Sequence, residues 1–79
     1  MKYFIFQEDD GYAGYYEQEY GTPYSTEDLK EAKHVLMELY EQYIEEGNFS
    51  LFAYVCDEND KRIWKPGRRK LEELGWEEM

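Results

Sequence analysis

The chain has 79 residues, with 19 acids against nine bases and a formal charge of −10. Such a balance repels nucleic acid and anionic membrane, so a charged macromolecular partner should be basic. At this length there is room for one domain with one modest core, which the 19% aromatic content helps to fill.

A single cysteine, Cys56, excludes an internal disulfide and fits a reducing, cytoplasmic compartment. No apolar stretch reaches membrane-spanning length, so no membrane partner is expected. The opening "MKYFIFQEDD" is too short an apolar run for a secretory signal.

In chain order, "MKYFIFQE" reads as a strand that is apolar on both faces. Asp10-Gly11 is a hairpin turn signal, and a second strand is expected from about Tyr12 to Glu19. Gly14 within it suggests a bulge. In "YSTEDL", Ser25 is placed to cap a helix, Asp28 to reciprocate, and Tyr24 to staple onto Leu29. The helix should run to Glu46, with left-handed Gly47 after it. Leu29, Ala32, Leu36, Leu39, Tyr40 and Tyr43 recur at helical spacing, with Val35 at their margin, and form the core stripe.

"FSLFAYVC" (49–56) is a third strand, turned by "DEND" into "KRIWK". Pro66-Gly67 breaks that fourth strand, and "RRKLEEL" forms a short helix closed by Gly75. The two strands apolar on both faces should be inner, giving the order 2-1-3-4 with every neighbour antiparallel. The expected architecture is therefore α+β, ββαββα, one domain over 1–79, with the long helix on one face. Trp64, Leu71, Leu74 and Trp76 are expected to cover part of the other.

On the helix face away from the core, Glu27, Glu31, His34, Glu38, Glu41 and Glu45 form a stripe roughly 27 Å long. Such a row on a rigid rod presents a field loosely like that of DNA phosphates, which recur every ~3.4 Å per strand. Glu38 to Glu46 contains four acids and no base. Like charges at these spacings repel, and the helix dipole disfavours Glu45 and Glu46 at the C-terminal end. Folding alone favours lysine there, and broken local rules mark functional surfaces. A solvated face, or neutralisation by the basic run "KPGRRK", accounts for the same pattern equally well.

The chain is also polarised. Residues 1–60 hold 15 acids and three bases, whereas 61–79 hold six bases and four acids. Arg68 with Glu72 and Arg69 with Glu73 are placed as intrahelical pairs.

"EDDGYAGYYEQEYGTPY" (8–24) gathers five tyrosines and five acids without Leu, Ile, Val or Lys. About half of these rings should pack internally. The exposed ones suit an interface, because Tyr is rigid and amphipathic and its face attracts guanidinium. Glu17 and Glu19 would accept hydrogen bonds from the same arginine, and Asp9 and Asp10 extend the acid. The candidate partner-binding set is thus Glu38, Glu41, Glu45, Glu46, Glu31, Glu17, Glu19, Asp9, Asp10, Tyr15 and Tyr20.

Catalytic chemistry has no motif here. His34 is the single histidine and stands among glutamates. Cys56 reads as a buried, inert thiol. "DENDKR" fails the calcium-loop pattern at its fifth and sixth positions. No zinc or phosphate-cradling motif is present, so no catalytic residue, metal or cofactor is expected, and the chain reads as a non-enzyme.

The order around "STEDLKEAKHVLMELYEQYIEEG" and "LFAYVCDENDKRIW", with the length and charge, resembles the small acidic inhibitors of phages and mobile elements. Anti-restriction and anti-CRISPR proteins are the familiar examples. The resemblance implies a DNA mimic that blocks the Lys/Arg-lined groove of a nucleic-acid-handling complex. The runner-up is a regulatory or assembly module acting through an edge strand or a homodimer, with acidity serving solubility. A weaker third reading is nucleic-acid binding through Lys61 to Lys70.

Overall fold

The computed structural model describes residues 1–77. The domain is α+β. A hairpin of β1 (Tyr3–Asp9) and β2 (Tyr12–Tyr15) leads through a two-residue strand, β3 (Ser25–Thr26), into α1 (Leu29–Glu45). A second hairpin, β4 (Phe52–Asp57) and β5 (Arg62–Trp64), is followed by α2 (Arg68–Leu74). The main strands run β2-β1-β4-β5 with antiparallel neighbours, the order expected from their patterning. The addition is β3, which pairs with Tyr3 and Phe4 on the edge of β1 that β2 occupies from Phe6 onward.

That addition changes two expected boundaries. The second strand stops at Tyr15 instead of Glu19, because the chain leaves the sheet and returns as β3. The excursion is tied at its base: Tyr16 N–H donates to Ile5 O at 2.7 Å, and Tyr24 N–H to Tyr16 O at 2.8 Å. Ser25 is held in β3 and does not cap the helix. Asp28 does, accepting from Lys30 N–H at 2.9 Å and Glu31 N–H at 3.4 Å, while Thr26 Oγ1 accepts from Asp28 N–H at 3.1 Å. Glu27 consequently precedes the helix, and the acidic stripe on it begins at Glu31.

Gly14 marks no bulge, since the register from Phe6↔Tyr15 to Asp9↔Tyr12 is unbroken. Its role is spatial: a Cβ there would lie 3.1 Å from the Tyr12 hydroxyl. The far end of α1 closes as a Schellman motif. Gly47 (φ +71°) donates to Ile44 O at 3.0 Å and Asn48 to Tyr43 O at 2.9 Å.

The core lies between α1 and one face of the sheet. Ile5, Ala53 and Val55 meet Ala32, Val35, Leu36, Leu39 and Tyr40, and Leu51, Leu71 and Trp76 complete the cluster. Tyr40 also does the work of a missing strand segment. The pairing of β5 with β4 reaches only Val55 and Cys56. At Ala53 the Tyr40 hydroxyl substitutes, accepting from its N–H at 2.9 Å and donating to its carbonyl at 3.2 Å.

Both helices lie on this face, contrary to the expectation that Trp64, Leu71, Leu74 and Trp76 cover the opposite one. The left-handed turn at Gly75 (φ +104°) folds the chain back, so Trp76 packs edge-on against Tyr40 at 5.1 Å and Phe49 at 5.4 Å. Trp64 pairs with Val55 and shares its face. The other face is an aromatic ladder of Phe4, Tyr15, Phe6, Tyr54 and Phe52, with neighbouring centroids 5.4–6.2 Å apart. "DEND" is an Asx turn: Asp57 Oδ1 accepts from Asn59 N–H at 2.8 Å and Lys61 N–H at 3.0 Å, with Asp60 left-handed at φ +61°.

Candidate functional site

The exposed side of α1 carries Glu31, His34, Glu38, Glu41 and Glu45, and no base lies in its last turn. His34 Nε2 lies 2.6 Å from Glu38 Oε1. Glu31 is engaged at the helix start, where hydrogen bonds from Thr26 and then Tyr24 lower its carboxyl pKa; the Tyr24 contact is 2.9 Å. Past Glu38, which His34 engages, Glu41, Glu45 and Glu46 have no Lys or Arg side chain within 4 Å among the described residues.

The chain's own cations are occupied differently. Among the described residues, Arg68–Glu72 at 3.3 Å is the only pairing of a Lys or Arg side chain with a carboxylate within 4 Å. The second expected pair, Arg69 with Glu73, does not form at that distance. Lys33 and Lys70 sit over the Trp64 ring at 5.3 and 5.7 Å. Arg62 covers Tyr54 at 4.5 Å and Phe52 at 5.4 Å, and Lys65 covers Phe52 at 5.1 Å. These cation–π contacts engage Lys33 of α1, Arg62 and Lys65 at β5, and Lys70 of α2. Among the described residues, none of the bases from Lys61 to Lys70 comes within 4 Å of Glu38, Glu41, Glu45 or Glu46.

A groove of about 540 Å³ opens between the C-terminal half of α1 and the β2 side of the sheet. Its cause is local. Residues Tyr3, Ile5, Gln7 and Asp9 alternate onto the helix-facing side of β1. Gly14 stands opposite Gln7 with no side chain, and the Tyr12 ring lies along that space. Tyr16 and Tyr43 line it as well, and Tyr20 stands at its rim. Asp9, at the sheet end, accepts from Tyr43 Oη at 2.9 Å and from Ser50 Oγ. Burial first, and then the Asp9 bond, push the Tyr43 phenol up to about 12. Glu17 and Glu46 also line the groove, and among the described residues no Lys or Arg does. Gln7 Oε1 is shielded from solvent without a hydrogen-bond partner.

The sequence-derived candidates thus divide. The structure brings Asp9, Glu17, Glu46, Tyr15 and Tyr20 to the groove. It sets Glu38, Glu41 and Glu45 on the outer helix face, exposed. Asp10 lies in the β1–β2 turn at φ +44°. Glu19 begins the tight turn in which it accepts from Thr22 N–H at 3.0 Å; Tyr20, fully exposed, is at its tip. Tyr15 also belongs to the aromatic ladder. Its hydroxyl donates to Asp60 Oδ1, which with burial raises its pKa to about 12.

Sequence reasoning missed Gln7, Gln42 and Asn48 as groove residues and placed Tyr43 in the core alone. For Gln7 a signal existed: it is where the helix-facing positions of β1 turn from apolar, at Tyr3 and Ile5, to polar. Cys56 is buried and free, and burial raises its thiol pKa. Among the described residues no three His, Cys, Asp or Glu side chains are grouped to hold a metal ion, and no helix is long and apolar enough to cross a membrane. The chain matches no protein-family model, no curated protein and no solved structure.

Proposed function

We propose that this chain is a non-enzymatic binding protein that occupies the Lys/Arg-lined nucleic-acid site of a basic complex. It would act as anti-restriction and anti-CRISPR inhibitors of phages and mobile elements do. The observation that carries this reading is that Glu41, Glu45 and Glu46, at the end of α1, have no Lys or Arg within 4 Å among the described residues, while four of the nine bases, Lys33, Arg62, Lys65 and Lys70, lie over the rings of Trp64, Tyr54 and Phe52. A solvated face serving solubility alone has no need to keep like charges at the unfavourable end of a helix dipole.

The test is competition. The purified chain is added to guide-loaded CRISPR effectors and to restriction complexes, and release of labelled duplex DNA is measured. The expected result is release by the native chain from at least one complex, lost in the variant Glu38→Lys, Glu41→Lys, Glu45→Lys. The same variant should be more stable, because a Lys in the last turn gains about 0.3–1 kcal/mol from the dipole at low salt. Release that persists undiminished in a folded variant rejects the acidic surface as the binding element.

A second reading has its own support. The aromatic ladder of Phe4, Phe6, Tyr54 and Phe52 has neither helix over it, and β2 is a sheet edge. An assembly module would bury that face against a second copy. Sedimentation distinguishes the two: a dimer that survives high salt favours assembly, and a monomer favours the acidic inhibitor.

A further inference from the structure

We infer that the groove between β2 and the end of α1 is a receptor for an arginine side chain of a protein partner. This rests on the reading of the chain as a binder of basic proteins, and it names the group that is gripped.

The groove offers acceptors and ring faces together. Asp9, Glu17 and Glu46 contribute carboxylates to the groove; the Gln7 Oε1 has no partner among the described residues but is closed to solvent, so it joins them only when the Gln7 side chain turns outward. Tyr12 and Tyr16 supply rings. Elsewhere in the molecule the chain lays its own cations over rings, at Trp64, Phe52 and Tyr54. Here no Lys or Arg among the described residues lines the wall, so both the rings and the charges await a cation from outside.

The choice of arginine follows from the dispersal of those acceptors. A guanidinium is planar, weakly hydrated and carries five N–H donors in a fixed fork, so it can lie on a phenol face while its edge reaches several oxygens. An ammonium is a compact, strongly hydrated point charge that can sit over a ring or serve one acceptor cluster, but cannot lie flat on a ring while reaching several separated oxygens. The volume of about 540 Å³ falls within the range of ~300–1,000 Å³ usual for ligand sites. It therefore has room for one extended side chain and the peptide backbone at its mouth. Tyr20 at the rim would then touch the partner's main chain.

The probe is a capped glycine peptide with one central arginine, compared with its lysine and citrulline counterparts. Binding to the intact chain is followed by NMR on the tyrosine ring resonances at physiological salt. The arginine peptide should shift Tyr16 and Tyr43. The lysine peptide should bind at least about threefold more weakly, and the uncharged citrulline peptide should not bind.

Two variants with the same change in net charge separate a site from general attraction. Glu17→Gln with Glu46→Gln should weaken arginine binding about tenfold, whereas Glu27→Gln with Glu73→Gln, at exposed acids outside the groove, should change it less than about twofold. Equal losses in the two variants, or equal affinity for arginine and lysine, overturn the inference. Its failure is distinguishable from failure of the parent reading. If DNA release depends on Glu38, Glu41 and Glu45 while the peptides show no groove preference, only the receptor falls. If the groove selects arginine while release ignores those acids, only the acidic-inhibitor reading falls.

Discussion

Replacing Tyr40 with Phe removes one oxygen and should leave two buried backbone groups without their partner. Tyr40 is 1% exposed, and Ala53, whose backbone it serves, is fully buried. The hydroxyl accepts from Ala53 N–H at 2.9 Å and donates to its carbonyl at 3.2 Å. Beyond the end of β5 no strand replaces it there, so both backbone groups lose their partner while staying away from water. An orphaned buried donor or acceptor costs about 1–3 kcal/mol, and the longer carbonyl contact contributes the smaller share. A net loss of about 2 kcal/mol is expected, once the easier burial of a Phe ring is set against it. A domain of this size holds roughly 4–12 kcal/mol in total, at about 0.05–0.15 kcal/mol per residue. At about 4–8 °C per kcal/mol, the midpoint should fall by roughly 8–16 °C. Urea unfolding gives the free energy, and hydrogen exchange at the Ala53 amide reports the site directly. A loss below about 0.5 kcal/mol with Ala53 still protected would refute the assignment of Tyr40 as a surrogate strand.

Two further outcomes follow from the local geometry. Asp28→Ala should lower stability by about 1 kcal/mol in urea unfolding, whereas Ser25→Ala should stay within about 0.5 kcal/mol, because only Asp28 bonds the first-turn amides. Above pH 10 the Tyr43 phenol should make stability pH-dependent. Its folded pKa of about 12 lies above the ordinary value of 10, so the protonated form is favoured by the fold. That contribution is complete below pH 10 and is lost as pH rises towards 12. Unfolding curves for the parent and Tyr43→Phe should therefore converge across that window, and curves that stay parallel contradict the raised Tyr43 pKa that burial and the Asp9 bond together produce.

Much of the architecture was legible in the pattern of side chains. The doubly apolar strands 3–9 and 52–57 identified themselves as inner, and the spacing from Ala32 to Tyr40 identified the core face of α1. Misreadings arose where tertiary pairing overrode local signals. Ser25 has good capping chemistry, but Tyr3 and Phe4 left an unfilled stretch of edge, and pairing there used the residue first. Gly14 resembles a bulge in sequence, yet its function is to leave space for a ring two residues away, which no one-dimensional pattern encodes. Trp76 follows a left-handed glycine whose φ sets the direction of return, and sequence gives the glycine without the direction. At the candidate site, the acids and tyrosines were visible as composition. Their division into an outer helix face and an inner groove was not, because it depends on where β2 ends.

The tied excursion between Tyr16 and Tyr24 has a consequence for how this molecule can diversify. Its two stems are bonded to each other and to Ile5, so the edge of the sheet is sealed beneath it whatever lies beyond. Residues at the tip can be exchanged, lengthened or shortened without reopening that seam. The scaffold thus carries a graftable finger, and new specificities could be installed on it while the folding problem stays solved.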